Sequence, residues 1–524
     1  MTKTSMPALI FTALFCFANG EKAGAAVPDA VGSKPNIILI MADDLGFSDL
    51  GCYGGEIETP HIDRLAEGGV RFSGFKNTCR CAPSRASLLT GRYQHAVGVG
   101  RMTANDFQRP AYRGQLSLDA PTLAEILKAE GYGTGIVGKW HLTVTDKNSP
   151  QKPVFPLDRG FDFFHGTWWG AKDYFSPQFM MTNREHLPEG KDAYPRDYYL
   201  TEDLSKQAIQ FVKARIEEDR PFFLYLAHYA PHKPIQAPAD RVEKCLKRYK
   251  VGFEQLQKER FARQQALGVL PEKTRLAAGM PAWKKLSSEQ QMKWARTMAT
   301  YAAMIEIMDD GIGSLIDLLK EQGEFENTLI LFLSDNGSTS EGKGGKGSQS
   351  FPMLSNTPYR GQKAQTWEGG TSSPLIVSWP DRLKEHAGTV RHGRCHIIDI
   401  LPTCLEATEV EFPDSFRGKA PAAPHGSSLL SAAGGLEALP ERPLFWEHGG
   451  SRAVYQDGWK LVAERRGAPW KLYHLRNDPV EQKQLNKEFP DRVDTLKALW
   501  HAWAEAYDVV PLPSKSAKRQ TKHP

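Results

Sequence analysis

Cysteine, net charge and long apolar runs are all scarce in this chain of 524 residues. Seven cysteines cannot form the dense disulfide framework of a small secreted scaffold. Cys79 and Cys81 stand too close together for an ordinary metal knuckle, and no second pair accompanies them. With 66 Lys and Arg against 61 Asp and Glu, the surplus is only +5, which gives no global attraction to nucleic acid. Any attraction of anions has to come from local placement. No stretch reaches the roughly 20 apolar residues of a membrane-spanning helix. No internal repeat is present either. What the chain does have is material for a core: 40% hydrophobic residues, with 25 Phe and 12 Trp, beside an ordinary 24% charged. That excludes a disordered, collagenous or coiled-coil protein. The length suits two to four domains, or one large α/β domain with an appendage.

The N-terminus reads as a signal peptide over residues 1–26. Lys3 is the only charge before an apolar run at 7–18, and small residues recur up to Ala26. Bulky Phe15 ahead of Cys16 argues against a lipid anchor. The expectation is an exported protein, periplasmic or extracellular, with no membrane span. Beyond the leader, apolar runs at 36–41, 135–138, 221–227, 327–333 and 374–379 read as strands buried on both faces. Helical spacing lies between them at 120–130 and 203–217. A long helical insert covers 251–267 and 288–319, the latter opening on a Ser287/Gln290 capping pair. This alternation predicts an α/β fold, a large mixed, mostly parallel sheet sandwiched by helices. After Gly434, short strands at 451–455, 459–463 and 470–475 precede an amphipathic helix at 491–507. They predict a small C-terminal antiparallel sheet with one helix. The expected boundaries are 27–434 for the large domain, 435–513 for the α+β subdomain and 514–524 for a disordered basic tail. Four clustered charges there (Lys515, Lys518, Arg519 and Lys522) make no nucleic-acid site.

The residues just behind each strand carry the chemistry, because ligands in open α/β sheets bind at the carboxyl ends of the strands. Asp43 and Asp44, Lys139 and His141, His228 and His232, and Asp335 and Asn336 come after four of the runs, so they converge on one edge. Adjacent carboxylates are costly without a cation between them. Asp43–Asp44 and Asp335–Asn336 offer hard oxygen donors that suit Ca²⁺, and Mg²⁺ as second choice, while zinc is poorly served with so few histidines nearby. Either pair alone is as well explained as a cap of a helix or turn. Two pairs, each directly behind a buried strand, favour the metal.

The most specific stretch is Cys81-Ala82-Pro83-Ser84-Arg85, succeeded by Leu89-Thr90-Gly91-Arg92. Here the chain resembles the type I, formylglycine-dependent sulfatases of the alkaline-phosphatase superfamily, from about residue 36 to about residue 513. The resemblance takes in Ala42-Asp43-Asp44-Leu45-Gly46, Gly138-Lys139-Trp140-His141, Pro231-His232-Lys233-Pro234, Ser334-Asp335-Asn336-Gly337, and Lys363 before Glu368-Gly369-Gly370. It implies an alkaline-phosphatase-like sheet and an enzyme that hydrolyses sulfate esters. It also implies that a formylglycine-generating enzyme converts Cys81 to Cα-formylglycine, which joins Asp43, Asp44, Asp335 and Asn336 around a divalent cation. In that scheme one hydroxyl of the hydrated aldehyde attacks sulfur, with Asp335 assisting its deprotonation. His232 protonates the leaving oxygen, and His141 takes the proton of the second hydroxyl as sulfate departs. Arg85 stabilises the hydrated aldehyde, while Lys139 and Lys363 neutralise sulfate charge.

Aryl sulfates in vitro and sulfated carbohydrates in nature are the expected substrates. The resemblance leaves two rivals: a formylglycine-dependent phosphodiesterase or phosphonate monoester hydrolase, and a non-catalytic binder of sulfated glycans if Cys81 stays unmodified. It places residues 159–175 at the substrate pocket, which nominates Trp168 and Asp173, with Trp169 and Lys172 beside them. A Trp pair there suits stacking on a sugar or aryl ring as well as burial in the core. His448, with Glu447 and Arg452 nearby, is placed at the pocket rim. One departure from the family stands out: the Arg usually found soon after Glu-Gly-Gly is replaced by Thr371, Ser372 and Ser373. The support of Lys363 and Glu368 is therefore open. His228 precedes the matching His232 and has no assigned role.

Overall fold

The computed structural model describes residues 34–340 and 348–510. The expected signal peptide at 1–26 and basic tail at 514–524 lie outside the described residues. Ten strands form the main sheet: β1 (Asn36–Ala42), β2 (Val70–Phe72), β3 (Gly133–Gly138), β4 (Phe163–Thr167), β5 (Met180–Thr182), β6 (Glu185–His186), β7 (Phe222–Ala227), β8 (Thr328–Ser334), β9 (Leu375–Ser378) and β10 (Val390–Arg391). From one edge to the other they run β10-β2-β9-β8-β1-β7-β3-β4-β5-β6. The central run from β8 to β4 is parallel throughout. Antiparallel neighbours flank it, β9 on β8 and β5 on β4.

Burial on both faces explains why the central strands read as continuous apolar runs. Successive side chains alternate between faces, so Ile38 and Ile40 of β1 enter one core while Ile37, Leu39 and Met41 enter the other. Leu224 and Leu226 of β7 part in the same way from Phe223 and Tyr225. Helices α1 (Cys81–Thr90), α2 (Leu200–Glu217), α3 (Ser288–Glu321) and the short α4 (Glu368–Thr371) belong to the same body. The Ser287/Gln290 capping pair forms as expected, with Gln290 N donating to Ser287 Oγ at 3.3 Å and Ser287 N to Gln290 Oε1 at 3.1 Å.

The C-terminal sheet is antiparallel in the order β11 (Leu444–His448), β12 (Ser451–Gln456), β13 (Trp459–Ala463) and β14 (Lys471–His474). Helix α5 (Pro490–Ala506) lays Leu496, Trp500 and Trp503 over Val454, Leu461 and Leu472. Strands β4 and β11 are among those the sequence pattern did not anticipate. Among the described residues no helix is long and apolar enough to cross a membrane. The six cysteines there are buried and free.

Candidate active site

The ends of β1, β3, β7 and β8 meet as the topology requires, and glycine makes the meeting possible. Gly138 has φ +115°, and a Cβ on it would fall 1.9 Å from Ala227 O. Only glycine lets β3 release Lys139 across the end of β7. Cys81 is the buried first residue of α1. Burial works to raise its thiol pKa, but the Lys363 and Lys139 ammonium charges outweigh it and hold the thiol below its ordinary value. One turn on, Arg85 donates from Nη1 to Lys139 O at 2.7 Å, and its Nη2 lies 3.1 Å from Asp335 Oδ2 and 3.3 Å from Asp43 Oδ2. It straps three loops to α1. Ser84 adds a fourth point, donating to Asp335 O at 2.5 Å.

Asp43, Asp44, Asp335 and Asn336 are brought together. Asp44 N donates to Asp335 Oδ1 at 3.3 Å, and Asn336 Nδ2 to Asp44 Oδ1 at 2.6 Å. Lys139 pairs with Asp43, and Lys363 with Asp44. Yet Asp43 Oδ1, Asp44 Oδ2 and Asn336 Oδ1 are buried and accept no hydrogen bond among the described residues. Buried acceptors without partners are costly, and a hard dication satisfies all three at once. The all-oxygen donor set therefore fits Ca²⁺ or Mg²⁺. Burial opposes ionisation of Asp43, but the Lys139 and Lys363 ammonium charges hold its carboxyl well below the usual range. Burial, helped by the Asp43 charge, pushes Asp335 well above it. Tyr301 of α3 braces the loop from behind, its Oη 2.7 Å from Asp49 Oδ2 and 3.1 Å from Asp44 O.

The two histidines differ in what surrounds them. His141, at φ +59°, is buried with Nδ1 unpartnered among the described residues. Burial, reinforced by Lys139 and Arg85, pushes it well below the usual imidazole value, so it is neutral and able to accept a proton. His232 Nδ1 lies 2.7 Å from Lys233 O, which can only accept, so Nδ1 carries the hydrogen. Nε2 is then turned to Asp44 Oδ2, 3.7 Å away. Burial pushes His232 down to about 3 against the pull of Asp43 and Asp44. His228 is fully buried with both ring nitrogens unpartnered among the described residues.

A cavity of about 660 Å³ opens over Cys81 and takes in Lys139, His141, His232, Lys363 and His448. Two residues expected at the substrate, Trp168 and Asp173, are not among those that line it. Trp168 packs edge-on against Phe155 and Phe179, away from the cavity, and Trp169 supplies the wall instead. Both indoles meet the Phe179 ring edge-on, Trp168 at 5.8 Å and Trp169 at 5.3 Å, and of the two only Trp169 borders the cavity. Asp173 is occupied in holding its own loop, accepting from Phe175 N, Ser176 N and Gln236 Nε2 at 2.8–3.0 Å. Glu447 is likewise turned away, with His95 Nε2 and Tyr112 Oη each 3.1 Å from Oε2. Arg452 lies over the rings of Trp470 and Trp500. The sequence reading missed Tyr229, whose ring carries the Lys139 ammonium at 5.1 Å and meets His232 at 5.2 Å. Its place between His228 and His232 was the available signal.

Glu368 finds its cations elsewhere in the chain. Lys76 Nζ reaches Oε2 at 2.7 Å, Lys460 Nζ of β13 reaches Oε1 at 2.8 Å, and Arg394 adds 3.2 Å. Lys460 also meets Glu481 Oε1 at 3.0 Å, and Glu481 Oε2 accepts from Glu368 N at 2.8 Å. The C-terminal sheet thus grips α4. Helix α4 in turn holds the loop behind Asn336, where Gly337 N donates to Gly370 O at 3.1 Å. Glu368→Gln keeps the shape but removes the carboxylate that two buried lysines and the half-buried Arg394 share. It is expected to cost about 3–5 kcal/mol, read as a lower urea midpoint at unchanged slope.

A sulfatase family model matches residues 35–410. An uncharacterized sulfatase of Schizosaccharomyces pombe is 32% identical over 92% of this chain and 96% of its own length. The arylsulfatase of Klebsiella aerogenes is 33% identical over 76% of this chain and 92% of its own. Among solved structures, Ps i-CgsB in complex with k-i-k-neocarrahexaose superposes with a TM-score of 0.69, at 25% identity over 93% of this chain and 96% of that one.

Proposed function

The chain belongs to the sulfatase family, and from that premise we propose that it desulfates carbohydrates, using a Cα-formylglycine made from Cys81 and a divalent cation, Ca²⁺ first. The observation that carries this reading is the cluster of orphaned oxygens on Asp43, Asp44 and Asn336, set beside Cys81 and flanked by Lys139 and Lys363. The carbohydrate preference is supported by the Trp169 wall and by the oligosaccharide held by the similar Ps i-CgsB.

Asp43, Asp44, Asp335 and Asn336 would hold the cation, which supplies a Lewis acid for a sulfate oxygen. Formylglycine supplies, as its hydrate, a nucleophile able to release sulfate by returning to the aldehyde. The rest is done by side chains the structure describes. Lys139 and Lys363 meet the sulfate oxygens and offset their charge. Arg85, fixed by Lys139 O and two carboxylates, keeps the start of α1 in register with Asp335, which assists deprotonation of the nucleophile. His232 gives a proton from Nε2 to the leaving alcohol, and the incoming anionic ester favours its charged form. His141, already neutral, accepts the proton that lets sulfate go.

Parallel assays on sulfate monoesters, phosphate diesters and phosphonate monoesters test the reading, together with mass spectrometry of the Cys81 peptide. Preferred hydrolysis of sulfate esters by aldehyde-bearing protein is the expected result. Unmodified cysteine in the exported protein, with binding and no turnover, would sink it. A sharper result is expected for His232→Ala. General acid catalysis is worth about 10²–10⁴-fold, so alkyl and sugar sulfates should lose that much while sulfates of acidic phenols are partly spared. His141→Ala should show a loss that varies little with the leaving group. Equal losses for His232→Ala across phenols of widely different acidity would leave it only a sulfate grip.

A further inference from the structure

Two cavity lysines have no part in the chemistry above. Lys172 and Lys233 line the cavity over Cys81, and both are exposed. Neither is paired with a carboxylate among the described residues, and none of the cavity-lining residues described is Asp or Glu. Lys139 and Lys363 are matched by Asp43 and Asp44 at the cavity floor. The positive charge on the Lys172–Lys233 wall is therefore uncompensated among the described residues.

The two lysines sit on loops that are bolted together. Tyr229 Oη donates to Ala171 O at 2.5 Å, and Tyr174 Oη lies 2.7 Å from His232 O and 3.0 Å from Tyr229 O. Phe179 backs this wall, with the Lys172 ammonium 4.9 Å from its ring centre and Trp169 edge-on at 5.3 Å. A cation and an indole are thus presented side by side. His232, the proton donor to the leaving oxygen, precedes Lys233 in the chain. Both line the same cavity as Trp169 and Lys172, so a leaving alcohol beside His232 is within that cavity's Trp169, Lys172 and Lys233 lining.

Resting on the sulfatase reading, we propose that the leaving alcohol is a sugar unit bearing a second anionic group, a sulfate or a uronate carboxylate. Lys172 and Lys233 hold that group, and Trp169 meets the face of the ring. The second anion sets specificity and takes no part in bond breaking. Exposed ion pairs are weak one at a time, so each lysine is worth a few-fold and the two together about ten-fold in affinity.

The experiment compares wild type with the Lys172→Ala/Lys233→Ala double variant on three disaccharides: one monosulfated and otherwise neutral, one disulfated, and one carrying a sulfate and a uronate. Both side chains are exposed, so folding is not at issue. For the doubly charged sugars kcat/KM should fall about ten-fold further than for the neutral monosulfate, mostly through KM. The gap should narrow as salt is raised. Sensitivity with the disulfated sugar alone identifies sulfate as the second anion, and sensitivity with both identifies negative charge of either kind. Equal losses on all three overturn the proposal while leaving the sulfatase reading standing. If wild type turns over none of them, it is that reading which fails. Calorimetric titration of the two proteins with the disulfated sugar then still decides the subsite, since equal affinities overturn it and a ten-fold gap supports it.

Discussion

Replacing Cys81 by serine is expected to abolish steady-state turnover while leaving the protein folded. Cys81 is the first residue of α1, buried but small, and serine is well tolerated at the start of a helix. The neighbours that hold the site, Arg85 on Lys139 O and Ser84 on Asp335 O, do not involve the Cys81 side chain. The proposed mechanism, by contrast, depends on it entirely. A serine hydroxyl beside Lys139 and Lys363 can attack sulfur once, but the resulting ester has no second hydroxyl from which His141 could take a proton. Water would have to attack a sulfate ester buried at the cavity floor. Loss of a nucleophile in an otherwise intact site costs on the order of 10³-fold or more. The result to look for is at most one equivalent of alcohol released per protein, with a sulfate ester on the peptide that contains residue 81 and an unchanged cooperative unfolding transition. Sustained turnover at the wild-type rate would refute the formylglycine mechanism.

How much of this could be read from the chain depended on whether a residue's partner is local. Strands β1, β7 and β8 were legible because burial on both faces leaves an unbroken apolar run. Strands β4 and β11 were not, because each carries a polar residue that is buried with a distant partner. His165 of β4 meets Asp203 Oδ2 at 3.0 Å and Thr182 Oγ1 at 2.9 Å. Glu447 of β11 meets His95 and Tyr112, more than 300 positions away. Periodicity cannot see such pairs, and reads the segments as loops. The residues behind the strands were legible for the opposite reason: topology alone sends them to one edge. Trp168 and Asp173 mark the limit. Residues 169–172 of their segment line the cavity, but a sequence pattern does not say which of two adjacent tryptophans outside a strand borders it. The support of Glu368 was hidden in the same way, since Lys76 and Lys460 lie far from it in sequence and meet it only through the fold.

Removing the cation is expected to cost several orders of magnitude in activity, and Asp43→Ala should reproduce the loss permanently. The argument starts from charge. Asp43 and Asp44 are faced by Lys139 and Lys363, and Arg85 lies against Asp43 and Asp335, so the floor has no negative surplus before any ion binds. A dication therefore leaves a positive surplus beneath the cavity, and that surplus draws an anionic sulfate ester. Asp43 faces three cations, Arg85, Lys139 and, at 3.9 Å, Lys363, and still keeps Oδ1 without a hydrogen-bond partner among the described residues. Its loss removes a hard ligand and frees two cations to compete with the metal. Exhaustive chelation of wild type should abolish turnover, and Ca²⁺ should restore it, with Mg²⁺ less effective because the larger ion suits a set of fixed oxygens. An independent readout is stability. At a hundred-fold excess over Kd a bound ion adds about 2.7 kcal/mol, so wild type should melt at a higher temperature with Ca²⁺ than without it. Asp43→Ala should show little or no such rise. Full activity in protein shown by elemental analysis to be metal-free would leave the three orphaned oxygens unexplained and the Lewis-acid role untenable.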